Sequence, residues 1–191
     1  MSIVESLEKR RSYYNINKTL PVSKEEVIDT ITKVTELVPD AFNCHSARVV
    51  IIMDEKQDQL WEAIYEVFGG KMTREKMESF KAGAGTILYF YDQSIIEGLQ
   101  EKFPNYKDNF PLWARDANGM LQISIWSALR DLDIGASLQH YNPVIDELVR
   151  DFCDVPENYK LVAQMPFGGI KGCAPREKEK EDISLRVKVV D

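Results

Sequence analysis

Phe110–Pro143, FPLWARDANGMLQISIWSALRDLDIGASLQHYNP, is the stretch from which the fold is read. Ala117 to Leu129 is a run of thirteen residues without a charge. Trp113, Ala117, Met120, Leu121, Ile125, Ala128 and Leu132 recur at a helical period. Ile123, Trp126 and Leu129 fill much of the opposite face. A helix apolar nearly all round belongs in an interior, and this run is shorter than the roughly 20 residues that cross a bilayer. It therefore predicts the central helix of a soluble protein, with part of its circumference open to cover by a second subunit. Gly135 is placed to end that helix in a left-handed cap. The segment Ser137–Tyr141 that follows is polar-edged and suited to lining a site.

Upstream, Ser2 and Glu5 have capping-box spacing and predict a short helix that runs into Lys9-Arg10-Arg11-Ser12. Ser23 and Glu26 open a second helix with Val27, Ile31, Val34 and Val38 in one stripe, ended by Pro39. After a loop through Asn43, His45 and Ser46, the run Arg48–Met53 reads as a buried strand. Helices are expected over 58–68 and 73–81, and a strand over 86–91. Ser94 and Glu97 form a further capping box, and residues 102–112 read as a loop.

Downstream, Asn142-Pro143 reads as a helix start and 161–165 as a strand closed by Pro166-Phe167-Gly168-Gly169. Arg176–Asp182 is a charge run, and Leu185–Val190 alternates like an edge strand. Helices and strands intermix without repeat or linker. The fold class is α+β, one domain over residues 1–191, with long helices on a small sheet.

The net charge of −7 and pI near 5.0 speak against a nucleic-acid surface and for a cytoplasmic protein. No apolar signal core stands near Met1. Cys44, Cys153 and Cys173 are odd in number and widely spaced, which suits a reducing compartment and no metal site. No phosphate-loop or dinucleotide-binding glycine motif occurs.

What remains is a set of polar residues at chain breaks. Arg10-Arg11-Ser12 is a possible anion cradle, because guanidinium matches phosphate bidentately, although two such arginines alone read as a solvated helix end. Asn43 alone reads as a loop residue bonding its own backbone, and His140 as a structural hydrogen-bonder.

In combination these pieces say more. Arg10–Tyr14, Phe42-Asn43, Lys81–Thr86, Glu101–Pro104 with Asp108–Trp113, Gly135–Pro143 and Ala163–Gly168 occur in order along the chain. This arrangement resembles the nitroreductase family of FMN flavoproteins, in particular its compact fatty-acid-repression-mutant and copper-inducible types. The resemblance implies a nitroreductase-like fold with a mainly antiparallel sheet, and a homodimer joined through the long helix. It implies that Arg10, Arg11 and Ser12 bind the FMN phosphate and ribityl chain, with Lys178 or Lys180 adding charge. Asn43, His45 and Ser46 would meet the polar edge of the ring, and Ser137, Leu138, Gln139 and His140 would run past it. Phe103, Tyr106, Phe110 and Trp113 are candidates to wall the acceptor side, or simply to pack beneath their loop.

The implied activity is NADH- or NADPH-dependent, two-electron, ping-pong reduction of small acceptors such as nitroaromatics and quinones, in stress defence or detoxification. No catalytic side chain is required, because the flavin carries the chemistry. Neither membrane nor nucleic acid is an expected partner. A protein that binds FMN for regulation, with incidental turnover, is the alternative.

Overall fold

The computed structural model describes residues 2–172, 175, 179 and 181–190. In chain order the elements are α1 (Ile3–Lys9), β1 (Ile16–Asn17), α2 (Lys24–Leu37), β2 (Ala47–Met53), α3 (Glu55–Phe68) and α4 (Arg74–Lys81). There follow β3 (Gly85–Asp92), α5 (Gln93–Lys102), α6 (Phe110–Asp131), β4 (Ile134–Ala136), α7 (Asp146–Cys153) and β5 (Tyr159–Ile170). The strands form one antiparallel sheet in the order β1-β5-β3-β2, with β4 also paired to β5. The α+β class with helices on a small antiparallel sheet is as the sequence predicts.

Alternation along β3 divides the interior. Ile87 and Tyr89 face one core with Val27 and Ile31 of α2, and Leu121, Ile125 and Leu129 of α6. Leu88 and Phe90 face the other, with Leu60, Trp61 and Ile64 of α3, Met77 and Phe80 of α4, and Val149 of α7. The result is a helix–sheet–helix sandwich in which period-two and period-3.6 patterns meet. Trp61 Nε1 donates to Thr86 Oγ1 (2.8 Å), whose hydroxyl donates to Gln57 Oε1 (2.7 Å), so these three polar side chains of the second core are paired.

The capping box at Ser2/Glu5 forms, and Ser23 accepts from the Glu26 amide. Several local expectations fail for definable reasons. Helix α6 ends at Asp131, and the left-handed residue after it is Asp133 (φ 59°), not Gly135. Gly135 lies in β4, where a side chain would crowd Tyr13 and Ile170. Ile125 is fully buried against the sheet, whereas Leu112 and Met120 are exposed, so α6 is buried on its sheet side and open along one stripe. The N-cap of α5 is Asp92, which accepts from the Ser94 amide (3.1 Å), so Ser94 lies inside the helix. The Asn142–Pro143 bond is cis, and α7 starts only at Asp146. Strand β5 continues through Pro166 to Ile170, because β1 and β4 offer it partners there. β2 is an edge strand and mostly half-buried, not fully enclosed. The expected edge strand over 185–190 does not form, because Leu185 closes a 3₁₀ turn (Ile183–Leu185) and residues 186–190 pair with no strand among the described residues.

The close approach of β1 to β5 explains Gly168-Gly169. A Cβ at Gly169 would overlap the Thr19 carbonyl oxygen, and one at Gly168 that of Asn17. Gly169→Ala should lower the stability read from urea unfolding by about 1–3 kcal/mol, as overpacking against rigid backbone does. Gly98→Ala, in α5 with open space around it, should raise stability by roughly 0.5–1 kcal/mol.

Candidate functional site

α1 stops at Arg10, whose extended backbone donates its N–H to the Ser6 carbonyl (2.9 Å). The chain then runs straight beside β4. Ser12 bridges Ala136 in parallel register, and the Tyr13 N–H donates to the Ala136 carbonyl (2.9 Å). Trp126, from the last third of α6, sends its Nε1–H to the same carbonyl (3.2 Å). The Arg10 guanidinium lies over the Trp126 ring, 4.2 Å from its centroid. These groups border a cavity of about 670 Å³, lined by Arg10–Asn15, Ile123, Trp126, Lys171 and Pro175.

Among the described residues three cations and no carboxylate line this cavity, although the chain carries a net charge of −7. Burial, and then the neighbouring charge of Arg11, lower the Arg10 pKa. Arg10 Nε is buried without a hydrogen-bond partner. A buried cationic donor that lacks an acceptor is a cost that an incoming anion relieves. The cradle therefore fits a phosphorylated cofactor such as the FMN implied by the sequence.

Beyond Ala136 the segment of Ser137, Leu138, Gln139 and His140 stays tied to β5. The Ser137 amide donates to the Pro166 carbonyl (3.2 Å), and Gln139 and Gln164 exchange backbone bonds of 2.7 and 3.0 Å. Ser137 is buried and receives a bond from Gln139 Nε2 (3.1 Å), whereas His140 is exposed. The fully buried Gln164 accepts the Tyr141 N–H at Oε1 (2.9 Å) and donates from Nε2 to Asn142 Oδ1 (3.2 Å). One side chain thus fixes the turn that follows the segment.

The remaining predicted residues lie elsewhere. In the 40–46 loop, Phe42, Asn43 and His45 all take positive φ (59°, 50° and 52°). Asp40 Oδ2 holds the loop by accepting the Ser46 amide (3.2 Å) and the Cys44 thiol (3.3 Å). Asn43 and His45 are exposed, but Ser46 is buried inside the loop and is not presented to a ligand. Phe42 sits among Phe103, Tyr106, Phe110 and Trp113, with centroid separations of 5.0, 6.3, 5.3 and 6.1 Å. Phe110 is core, whereas Phe42 and Trp113 border a second cavity of about 360 Å³ with Asp116 and Met120. Trp113 and Trp126 stand thirteen positions apart on α6, roughly 20 Å along its axis, whereas Met120 and Ile123 bring the edges of the two cavities within one turn of each other. Lys178 and Lys180 lie outside the described residues.

The nitroreductase family pattern matches residues 7–169. The chain belongs to this family. It is 32% identical to nitroreductase FRM2 of Saccharomyces cerevisiae over 178 residues, 92% of this chain and 91% of that one. Nitroreductase CinD from Lactococcus lactis, solved in complex with chloramphenicol, superposes with a TM-score of 0.94 at 40% identity over the whole of both chains. A protein of Exiguobacterium sibiricum solved with FMN shares the fold alone, with a TM-score of 0.75 at 13% identity over 98% of this chain and 97% of that one.

Sequence reasoning missed Lys171, Trp126 and Tyr13–Asn15 as parts of this nitroreductase cavity. Lys171 arrives because its N–H bonds the Asn15 carbonyl (3.0 Å) beyond the two-residue β1, a pairing too short to leave a sequence signal. Gln164→Leu should cost about 1–3 kcal/mol by stranding the Tyr141 N–H and Asn142. Amide exchange at Tyr141 should accelerate, which hydrogen–deuterium exchange would register.

Proposed function

We propose that this chain is an FMN-dependent NAD(P)H oxidoreductase, a homodimer of single FMN-binding domains. It would reduce nitroaromatics and quinones by a two-electron ping-pong cycle in the cytoplasm, as part of stress defence or detoxification. The observation that carries the reading is the cationic cavity, which has no carboxylate among its described lining residues and holds an Arg10 Nε without a hydrogen-bond partner among them. When bound, FMN supplies the chemistry by taking hydride from the nicotinamide and passing two electrons to the acceptor.

The protein's share is binding, orientation and exclusion of water. Arg10, Arg11 and Lys171 neutralise the phosphate, with Ser12 as a hydroxyl partner, and the 137–140 segment supplies backbone beside the ring. Trp113 stands roughly 20 Å along α6 from Trp126, so in this reading it serves the site of the other subunit, with its neighbour Phe42 and the adjoining Asn43. A wall of aromatic side chains suits flat acceptors, and the chloramphenicol bound by CinD is a nitroaromatic of this kind.

Two surfaces support the dimer. Leu112, Asp116, Gly119, Met120 and Ile123 form one stripe of α6, and nothing lies near Gly119. A mid-helix glycine costs roughly 1 kcal/mol relative to alanine, which close approach of a second helix would offset. The tail residues Leu185, Val187 and Val189 are exposed, and the outer edge of β2 has no strand beside it among the described residues. Among the described residues no helix is long and apolar enough to cross a membrane.

Freshly purified protein should show a two-banded flavin spectrum that bleaches rapidly when NADH is added anaerobically. A spectrum that stays unbleached with both NADH and NADPH would favour flavin binding for regulation, and absence of flavin after reconstitution would overturn the reading. Arg10→Ala should weaken FMN binding roughly 10- to 100-fold, the worth of one charge-assisted contact, by fluorescence titration. Met120→Glu should yield a folded monomer in analytical ultracentrifugation with unchanged circular dichroism, whereas an intact dimer would move the interface off this stripe.

A further inference from the structure

The Arg10 guanidinium has a definite support on its inner side. It lies on the face of Trp126, whose N–H is itself fixed to the Ala136 carbonyl. That carbonyl also takes the Tyr13 N–H, and its own residue is paired with Phe167 of β5. Trp126 is therefore fastened at one edge to the sheet and offers its ring face to the cation. An arginine side chain otherwise loses much rotamer freedom when it is held in one geometry. A cation over an indole face within about 6 Å is held by the ring quadrupole, and more strongly where water is partly excluded. Burial and the charge of Arg11 both act against the Arg10 cation, so the attraction from the ring opposes two unfavourable influences.

We infer that Trp126 is a positioning residue for the phosphate end of the cofactor. Its indole face presets the Arg10 guanidinium, and its N–H locks that arrangement to the strand end from which Ser137 departs. This rests on the FMN reading above. It assigns to a residue inside the apolar run of α6 a task distinct from packing. Trp126 remains half-buried at the cavity wall, and the Arg10 cation occupies one face of its ring. The indole N–H is committed to Ala136, so the ring is held in place.

The phosphate provides the discriminating test. The protein is stripped of flavin and titrated with FMN and with riboflavin, which differ only by that phosphate. Wild type should bind FMN more tightly. Trp126→Leu should reduce the FMN-over-riboflavin preference roughly tenfold, the worth of one partly desolvated cation–π contact, and leave riboflavin binding nearly unchanged. Trp126→Phe keeps a ring face and should retain most of the preference. In an Arg10→Ala background, Trp126→Leu should cause little further loss, because the two side chains act as a unit.

Equal weakening of both flavins in Trp126→Leu, or full additivity with Arg10→Ala, would overturn the assignment and leave Trp126 a packing residue. So would an unchanged preference in Trp126→Leu. Wild-type protein that binds neither flavin would instead remove the FMN reading itself. Circular dichroism on each variant separates loss of fold from loss of preference, and Trp126→Phe keeps the test decisive should the leucine variant unfold.

Discussion

The Ala136 carbonyl accepts two hydrogen bonds from parts of the chain far apart in sequence, the Tyr13 N–H and the Trp126 Nε1–H. Its residue also belongs to β4, the three-residue strand that joins α6 to β5. This small junction brings the end of α1, the last third of α6 and the sheet to one place. It requires close backbone approach, which is why glycine occupies position 135 between Tyr13 and Ile170. The cationic cavity opens directly beside it. Between α1, held by Ser6 to Asp131, and β1, paired with β5, the junction sets the course of the chain that carries Arg10 and Ser12. The site is thus a property of how three elements converge, and each supplies one wall.

Convergence also explains the charge pattern. An acidic chain gathers Arg10, Arg11 and Lys171 around one cavity with no carboxylate among its described lining residues, and the Trp126 ring face is set against the repulsion felt by Arg10. The acidic residues near this end are engaged elsewhere. Asp131 accepts from the Ser6 hydroxyl (2.7 Å) and Asp133 pairs with Arg130 (2.7 Å). Those contacts fix the end of α6 and the approach of α1, and so shape the cavity from outside. An unliganded cavity of this kind spends stability on function, as strained or repulsive sites commonly do.

Most of the architecture was legible in the chain because it follows from periodicity. The uncharged run of α6, the stripes of α2 and α3 and the apolar run of β3 each declare a packed face. The failures were of another type. Gly135 looked like a helix cap because glycine signals permissive backbone without saying which use is made of it. Asn142-Pro143 looked like a helix start, but a cis bond leaves no mark in composition. Ser46 read as a ligand contact beside Asn43 and His45, yet Asp40 folds the loop so that Ser46 turns inward. Of the residues that line the cavity, Arg10 to Ser12 were singled out in the sequence through resemblance, whereas the 137–140 segment lies beyond Ala136 and outside that lining. Lys171 and Trp126 were not singled out, because their place depends on tertiary contacts at β1 and Ala136 rather than on any local pattern.

The length of α6 makes the last step of the argument. It carries Trp126 of the cationic cavity and Trp113 of the aromatic one, and its rise holds these two rings roughly 20 Å apart, while Ile123 and Met120 bring the cavity edges together on the open stripe. No rotamer change closes that gap, and a helix anchored to the sheet through Leu121, Ile125 and Leu129 does not bend enough to do so. A two-fold axis across the exposed stripe would solve the problem by geometry alone. Antiparallel pairing of two such helices sets the Trp113 end of each against the Trp126 end of the other. One rigid element would then act as interface and as spacer, with Gly119 near the middle where the two backbones must come closest. On this view the open stripe, the mid-helix glycine and the separation of Trp113 from Trp126 are three consequences of one arrangement. A chain able to complete its site alone would have needed none of them.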